Sequence, residues 1–77
     1  MAIETIGKYQ LHLFAYQLPE TGRWDPYLKI DKFDDELQDF KCLVENQSVS
    51  DKPLATYEEA IEQARRVGNM MILEGKV

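Results

Sequence analysis

The last third of the chain carries the one helical pattern in the sequence. In TYEEAIEQARRVGNMMILEG, residues Tyr57, Ala60, Ile61, Ala64, Gly68, Met71 and Ile72 recur at spacings of three and four, an apolar stripe down one side of a helix. Thr56 and Glu59 form a T-x-x-E capping box at its start: the threonine oxygen accepts from a first-turn N–H and the glutamate reaches back. Glu58, Glu59 and Glu62 precede Arg65 and Arg66, the order that a helix dipole favours. The stripe runs through Gly68, so the spacing predicts a helix to about Leu73 or Glu74 with Gly75 as its stop. The alternative ends the helix at Gly68-Asn69 and makes MMILEGKV a further strand. Ala60, Ala64 and Gly68 let the helix lie close on its support, at a propensity cost of about 1 kcal/mol for the glycine. One helix covers one face of a sheet, so any sheet built by the rest of the chain keeps a face without a helix.

The preceding residues read as strands. YQLHLFAYQL, from Tyr9 to Leu18, alternates, yet carries apolar bulk on both sides: Tyr9, Leu11, Leu13 and Ala15 on one, Phe14, Tyr16 and Leu18 on the other. A first strand from about Lys8 to Leu18 is followed by the turn Pro19 to Gly22. The second strand, RWDPYLKIDKF, sets Trp24, Leu28 and Ile30 against Tyr27, Lys29 and Asp31. Pro26 cannot donate to a ladder, which predicts an edge or bulge there and a regular strand beginning only at Tyr27. After DDELQ, the third strand DFKCLVEN sets Phe40, Cys42 and Val44 against Lys41, Leu43 and Glu45. The prediction is an α+β fold in a single domain spanning 1–77: a three-stranded antiparallel β-meander packed on one long C-terminal α-helix, β-β-β-α.

If Leu11, Leu13, Trp24, Leu28, Ile30, Phe40, Cys42 and Val44 meet the helix, then His12, Phe14, Tyr16, Tyr27, Lys29 and Leu43 share the opposite face. Tyrosine and phenylalanine suit an association surface, and these six are the candidate interface. The competing expectation is that MAIETI or the loop before the helix covers part of this face.

Chemistry is sparse. The sequence has no glycine-rich phosphate loop, G-x-S-x-G elbow or H-E-x-x-H, and no cofactor or catalytic site is expected. His12 and Cys42 would form a thiolate pair only on a shared face, and strict alternation puts them on opposite faces unless the strand register is broken. His12 then reads as a partly exposed sheet residue and Cys42 as a small core hydrophobe. DKFDDELQD, Asp31 to Asp39, holds five acids and one base without the glycine and closing glutamate of a calcium loop, and reads as a solvated hairpin turn. Its other use is to steer a basic partner or to mimic a nucleic-acid surface. Acids interrupt the basic groups Arg65, Arg66 and Lys76, and Lys29, Lys32 and Lys41.

A net charge of −5 disfavours general affinity for phosphate backbones or anionic membranes. A single cysteine allows no internal disulfide, and neither a signal peptide nor a long apolar run is visible, so a cytoplasmic location is the expectation. The functional expectation is a small non-catalytic protein-interaction or regulatory module, homodimeric through the open sheet face or an edge strand. A nucleic-acid-linked regulator is the first alternative, and a small metal binder or enzyme using His12 and the acidic turn is the second.

GRWDPYLKI followed by TYEEAIEQARRVGNMMILEGK resembles a loose group of small bacterial proteins with three strands, one carrying a tryptophan, and a T-x-x-E-A helix. The chain is also distantly similar to the half double-stranded-RNA-binding-domain fold of HicB-like antitoxins, whose helix opens with a comparable T-x-E-E-A pattern. The resemblance implies the architecture and, as an alternative function, antitoxin-like regulation. It carries over no functional residue.

Overall fold

A computed structural model describes residues 1–77. It contains β1 (Ala2–Ile6), β2 (Tyr9–Gln17), β3 (Trp24–Asp34), β4 (Asp39–Ser48) and α1 (Tyr57–Leu73), with the strands in sheet order β1-β2-β3-β4, all antiparallel. The α+β class and the C-terminal helix agree with the sequence reading, but the sheet has four strands rather than three. The additional strand is the N-terminal segment. Ala2, Glu4 and Ile6 are half-buried while Ile3 and Thr5 are exposed, the two-residue period of a strand on one side of a core. Gly7 takes φ +59° at the first of two loop residues, where a tight hairpin places a glycine, and returns the chain into β2.

The second hairpin closes as the Pro19–Gly22 turn requires. The Gly22 N–H donates to the Leu18 carbonyl, the Leu18 N–H to the Arg23 carbonyl, and Gly22 has φ +73°. The strand after it begins at Trp24, not at Tyr27. Pro26 sits inside a central strand, fully buried and opposite Ala15. Its missing donor is harmless because its nitrogen faces the side where β4 has ended. There Leu54 exchanges two 2.7 Å bonds with Trp24, and the Val49 N–H donates to the Pro26 carbonyl.

The helix stripe is packed as the spacing demands. Leu11 and Leu13 of β2, Leu28 and Ile30 of β3, and Ala60, Ile61 and Ala64 of α1 form the buried core. Full burial of each of the four strand side chains, Leu11, Leu13, Leu28 and Ile30, contributes about 1.5–3 kcal/mol, so most of the apolar stabilisation lies between α1 and the two central strands. Thr56 Oγ1 accepts from the Glu59 N–H at 3.1 Å, which makes one half of the capping box; the reciprocal bond from Glu59 is not formed. At the far end Lys76 N–H donates to Met71 O and Gly75 N–H to Ile72 O, with Gly75 at φ +69°, a Schellman stop. Arg65 reaches Glu4 on β1 and ties the first strand to the helix.

The remaining correction concerns β4. Between Leu28 and Ile30 of β3, β4 advances three residues, from Gln47 to Val44; between Ile30 and Asp31 it advances two, from Val44 to Cys42. These two bulges break the alternation. Val44 stays on the helix side opposite Ile30, whereas Cys42 lies opposite Asp31 and Phe40 opposite Phe33, both on the open face. Cys42 and Phe40 are exposed rather than part of the core.

Candidate interaction surface on the open sheet face

The face turned away from α1 is built by alternation in β2 and β3 and by the bulges in β4. From β2 come His12, Phe14 and Tyr16; from β3, Asp25, Tyr27, Lys29, Asp31 and Phe33; from β4, Phe40, Cys42, Asn46 and Ser48; Ile3 of β1 stands beside His12. Five of the six candidate residues are therefore together. Leu43 is not: its neighbour Lys41 pairs with Lys32 on the helix side, and Leu43 lines a shallow depression there with Lys8, Lys32 and Lys41.

The aromatic side chains form two groups. Phe14 and Tyr16 lie parallel, centroids 6.2 Å apart, and Tyr27 meets Tyr16 edge-on at 4.9 Å. At the other end of β3, Phe33 and Phe40 meet edge-on at 5.3 Å. Tyr16, Phe40 and Ile3 are 47, 43 and 50% exposed. The single helix packs on the other face, against β2 and β3.

Between them lies a charged cluster. His12 Nε2 donates to Asp31 Oδ2 at 3.0 Å, and Lys29 Nζ stands 3.7 Å from the same oxygen. Asp31 is the one buried charged residue, and its Oδ1 is buried without a hydrogen-bond partner. Other polar groups on this face also pair with each other: Ser48 Oγ donates to Asp25 Oδ1 at 2.8 Å, and Asn46 Nδ2 to the Tyr16 hydroxyl at 3.3 Å.

The broken register meets the condition for His12 and Cys42 to share a face, but it sets the thiol beside a carboxylate instead of a base. The Cys42 thiol is held above its ordinary range, first by side chains that displace water around the sulfur, then by the negative charge of Asp31, with Lys29 offsetting part. A nucleophilic cysteine needs the opposite shift, so this cluster does not activate the sulfur.

The acidic segment Asp31–Asp39 turns the β3–β4 hairpin. Asp34 Oδ1 accepts from the N–H groups of Glu36 and Leu37 at 2.9 and 3.2 Å, and Lys8 pairs with Asp35. No three of the chain's His, Cys, Asp and Glu side chains are grouped as a metal ion would require. Lys8, Lys32 and Lys41 share their depression with Asp34, Asp35 and Glu36, so it carries no continuous basic surface. A second depression, lined by Ser48, Val49, Ser50, Asp51, Lys52 and Gln63, is equally open to solvent. No helix is long and apolar enough to cross a membrane.

The sequence reading set Asp31 on the side of Tyr27 and Lys29 without counting it among the six, and missed Phe33, Phe40 and Cys42 as members of this surface. Phe33 was within reach, since it alternates with Tyr27 and Lys29; Phe40 and Cys42 were hidden by the bulges. Comparison with protein-family models, curated proteins and solved structures finds no match, so the functional reading rests on this geometry.

Proposed function

We propose that the chain is a small non-catalytic protein-interaction module that works in the cytoplasm and binds through the open face of its sheet. The observation that carries the reading is the uncovered Phe14–Tyr16–Tyr27 cluster, large apolar area on a rigid sheet with hydroxyl groups at its rim. Two features support a binding surface over a reactive centre: both concavities are shallow and polar, and the single thiol is shifted away from reactivity.

Affinity capture tests the proposal with three baits: the native chain, Tyr16→Asp on the open face, and Arg66→Ala on the exposed side of α1. The expected result is that Tyr16→Asp loses proteins which the other two retain. Equal retention by all three would refute it.

A further inference from the structure

Resting on that reading, we infer that the partner of the open face is a basic protein segment, one arginine of which lies on the Tyr16 ring and pairs with Asp25. Charge is divided unevenly between the two sides of the sheet. Beside the β3–β4 hairpin, Lys8, Lys32 and Lys41 stand with Asp34, Asp35 and Glu36, three cations with three acids. On the open face the strands supply one lysine, Lys29, and it is held by Asp31. Asp25 and Glu45 take part in no ion pair. Asp25 stands opposite Tyr16 in the β2–β3 ladder, as Tyr27 stands opposite Phe14, so its carboxylate borders the aromatic cluster. Its Oδ1 accepts from Ser48 Oγ, and its Oδ2 accepts from no protein group. Glu45 is exposed in the first bulge of β4, between Gln47 and Val44, and its charge reaches Cys42.

An arginine answers both groups at once. Its guanidinium is planar, so it lies flat on a phenol ring while its N–H groups donate sideways to a carboxylate; an ammonium has no such fork. Directly opposed residues of an antiparallel pair hold their Cβ atoms about 4.5–5.5 Å apart, which keeps Asp25 within reach of a group stacked on Tyr16. A wholly apolar partner would cover Asp25 and Glu45 without supplying a counter-charge, a cost that a basic one turns into attraction. A second copy would bring the same two carboxylates and another −5. The acidic hairpin is the rival place for a cation, but it is already answered from within the chain: Lys8 pairs with Asp35, and Asp34 Oδ1 accepts from two backbone N–H groups.

Nuclear magnetic resonance titration of the isotope-labelled chain with hexaarginine, hexalysine and hexacitrulline, the neutral isostere of hexaarginine, tests the inference. Hexaarginine should move the backbone amides of Phe14, Tyr16, Asp25, Tyr27 and Glu45 ahead of those of Asp34–Asp39, and its affinity should fall as salt is raised. Hexalysine should bind more weakly and hexacitrulline not at all. Tyr16→Ala and Asp25→Asn should each weaken hexaarginine about two- to fivefold. Glu45→Gln, on an exposed side chain whose change leaves the fold alone, should do so about twofold. Hexaarginine that does not bind, that binds no better than hexalysine, that moves the Asp34–Asp39 amides most, or that binds Asp25→Asn and Glu45→Gln as tightly as the native chain overturns the inference. In affinity capture, proteins lost by Tyr16→Asp but held by an Asp25→Asn/Glu45→Gln bait as firmly as by the native chain would overturn the basic partner alone and leave the interaction module standing.

Discussion

Replacing Gly68 by alanine sets two effects of known sign against each other. In an unconstrained helix the change stabilises by about 1 kcal/mol, because alanine loses less backbone freedom on folding. At Gly68 the added Cβ would lie 3.1 and 3.2 Å from the two δ-carbons of Leu11 and 3.3 Å from a δ-carbon of Leu28. Both leucines are fully buried, so three methyl groups must give way within a packed core. Overpacking of this kind costs about 1–3 kcal/mol. The expected balance is a net loss of about 1 kcal/mol, which for a domain of this size lowers Tm by roughly 4–8 °C. Urea unfolding followed by far-UV circular dichroism measures the difference directly. In a double-mutant cycle with Leu11→Val, which replaces both crowding δ-methyl groups by γ-methyl groups one bond closer to the strand, the combined loss should fall short of the sum by about 0.5 kcal/mol or more. A Gly68→Ala variant more stable than the native chain by the full propensity difference would refute the reasoning, since it would mean that α1 is not pressed onto the sheet at that point.

Three further outcomes follow from individual contacts. Thr56→Ala should destabilise by about 1 kcal/mol, because the Glu59 N–H loses its acceptor, while Glu59→Ala, which breaks no reciprocal cap, should cost less; equal losses in urea unfolding would contradict the half-formed box. The raised Cys42 thiol contributes stability that is present below the ordinary thiol range and is lost as pH rises through the folded-state value. Asp31→Asn removes one cause of the shift, so its alkylation profile should move to lower pH and its stability should fall less between neutral and alkaline pH; superimposable profiles would show that Asp31 does not act on the sulfur. Glu4→Gln breaks the pair with Arg65, whose guanidinium is held more firmly protonated chiefly by its bond to Glu4. The loss should be about 0.2–1 kcal/mol and shrink with added salt, and a loss independent of salt would argue for packing instead.

The helix was legible residue by residue because its determinants are local. Thr56 caps the backbone three residues ahead, Gly75 supplies a left-handed φ next to the last turn, and the stripe through Gly68 follows from 3.6 residues per turn. The same holds for the Pro19–Gly22 turn and for the alternation that brings His12, Phe14, Tyr16, Tyr27 and Lys29 to one face. Two features escaped a linear reading. In AIETI, Glu4 occupies a core-side position, and its charge makes sense only beside Arg65, 61 residues later. In DFKCLVEN the alternation is unbroken in sequence, while the strand itself is bulged, because the bulges are set by how β4 pairs with β3 and not by the residues within β4. Sequence alone determined that one face of the sheet would lack a helix and that aromatic residues would stand on it. Only tertiary pairing decided that Phe40 and Cys42 join that face, that Leu43 leaves it, and that Asp31 lies buried between a histidine and a lysine, because those placements depend on contacts between strands.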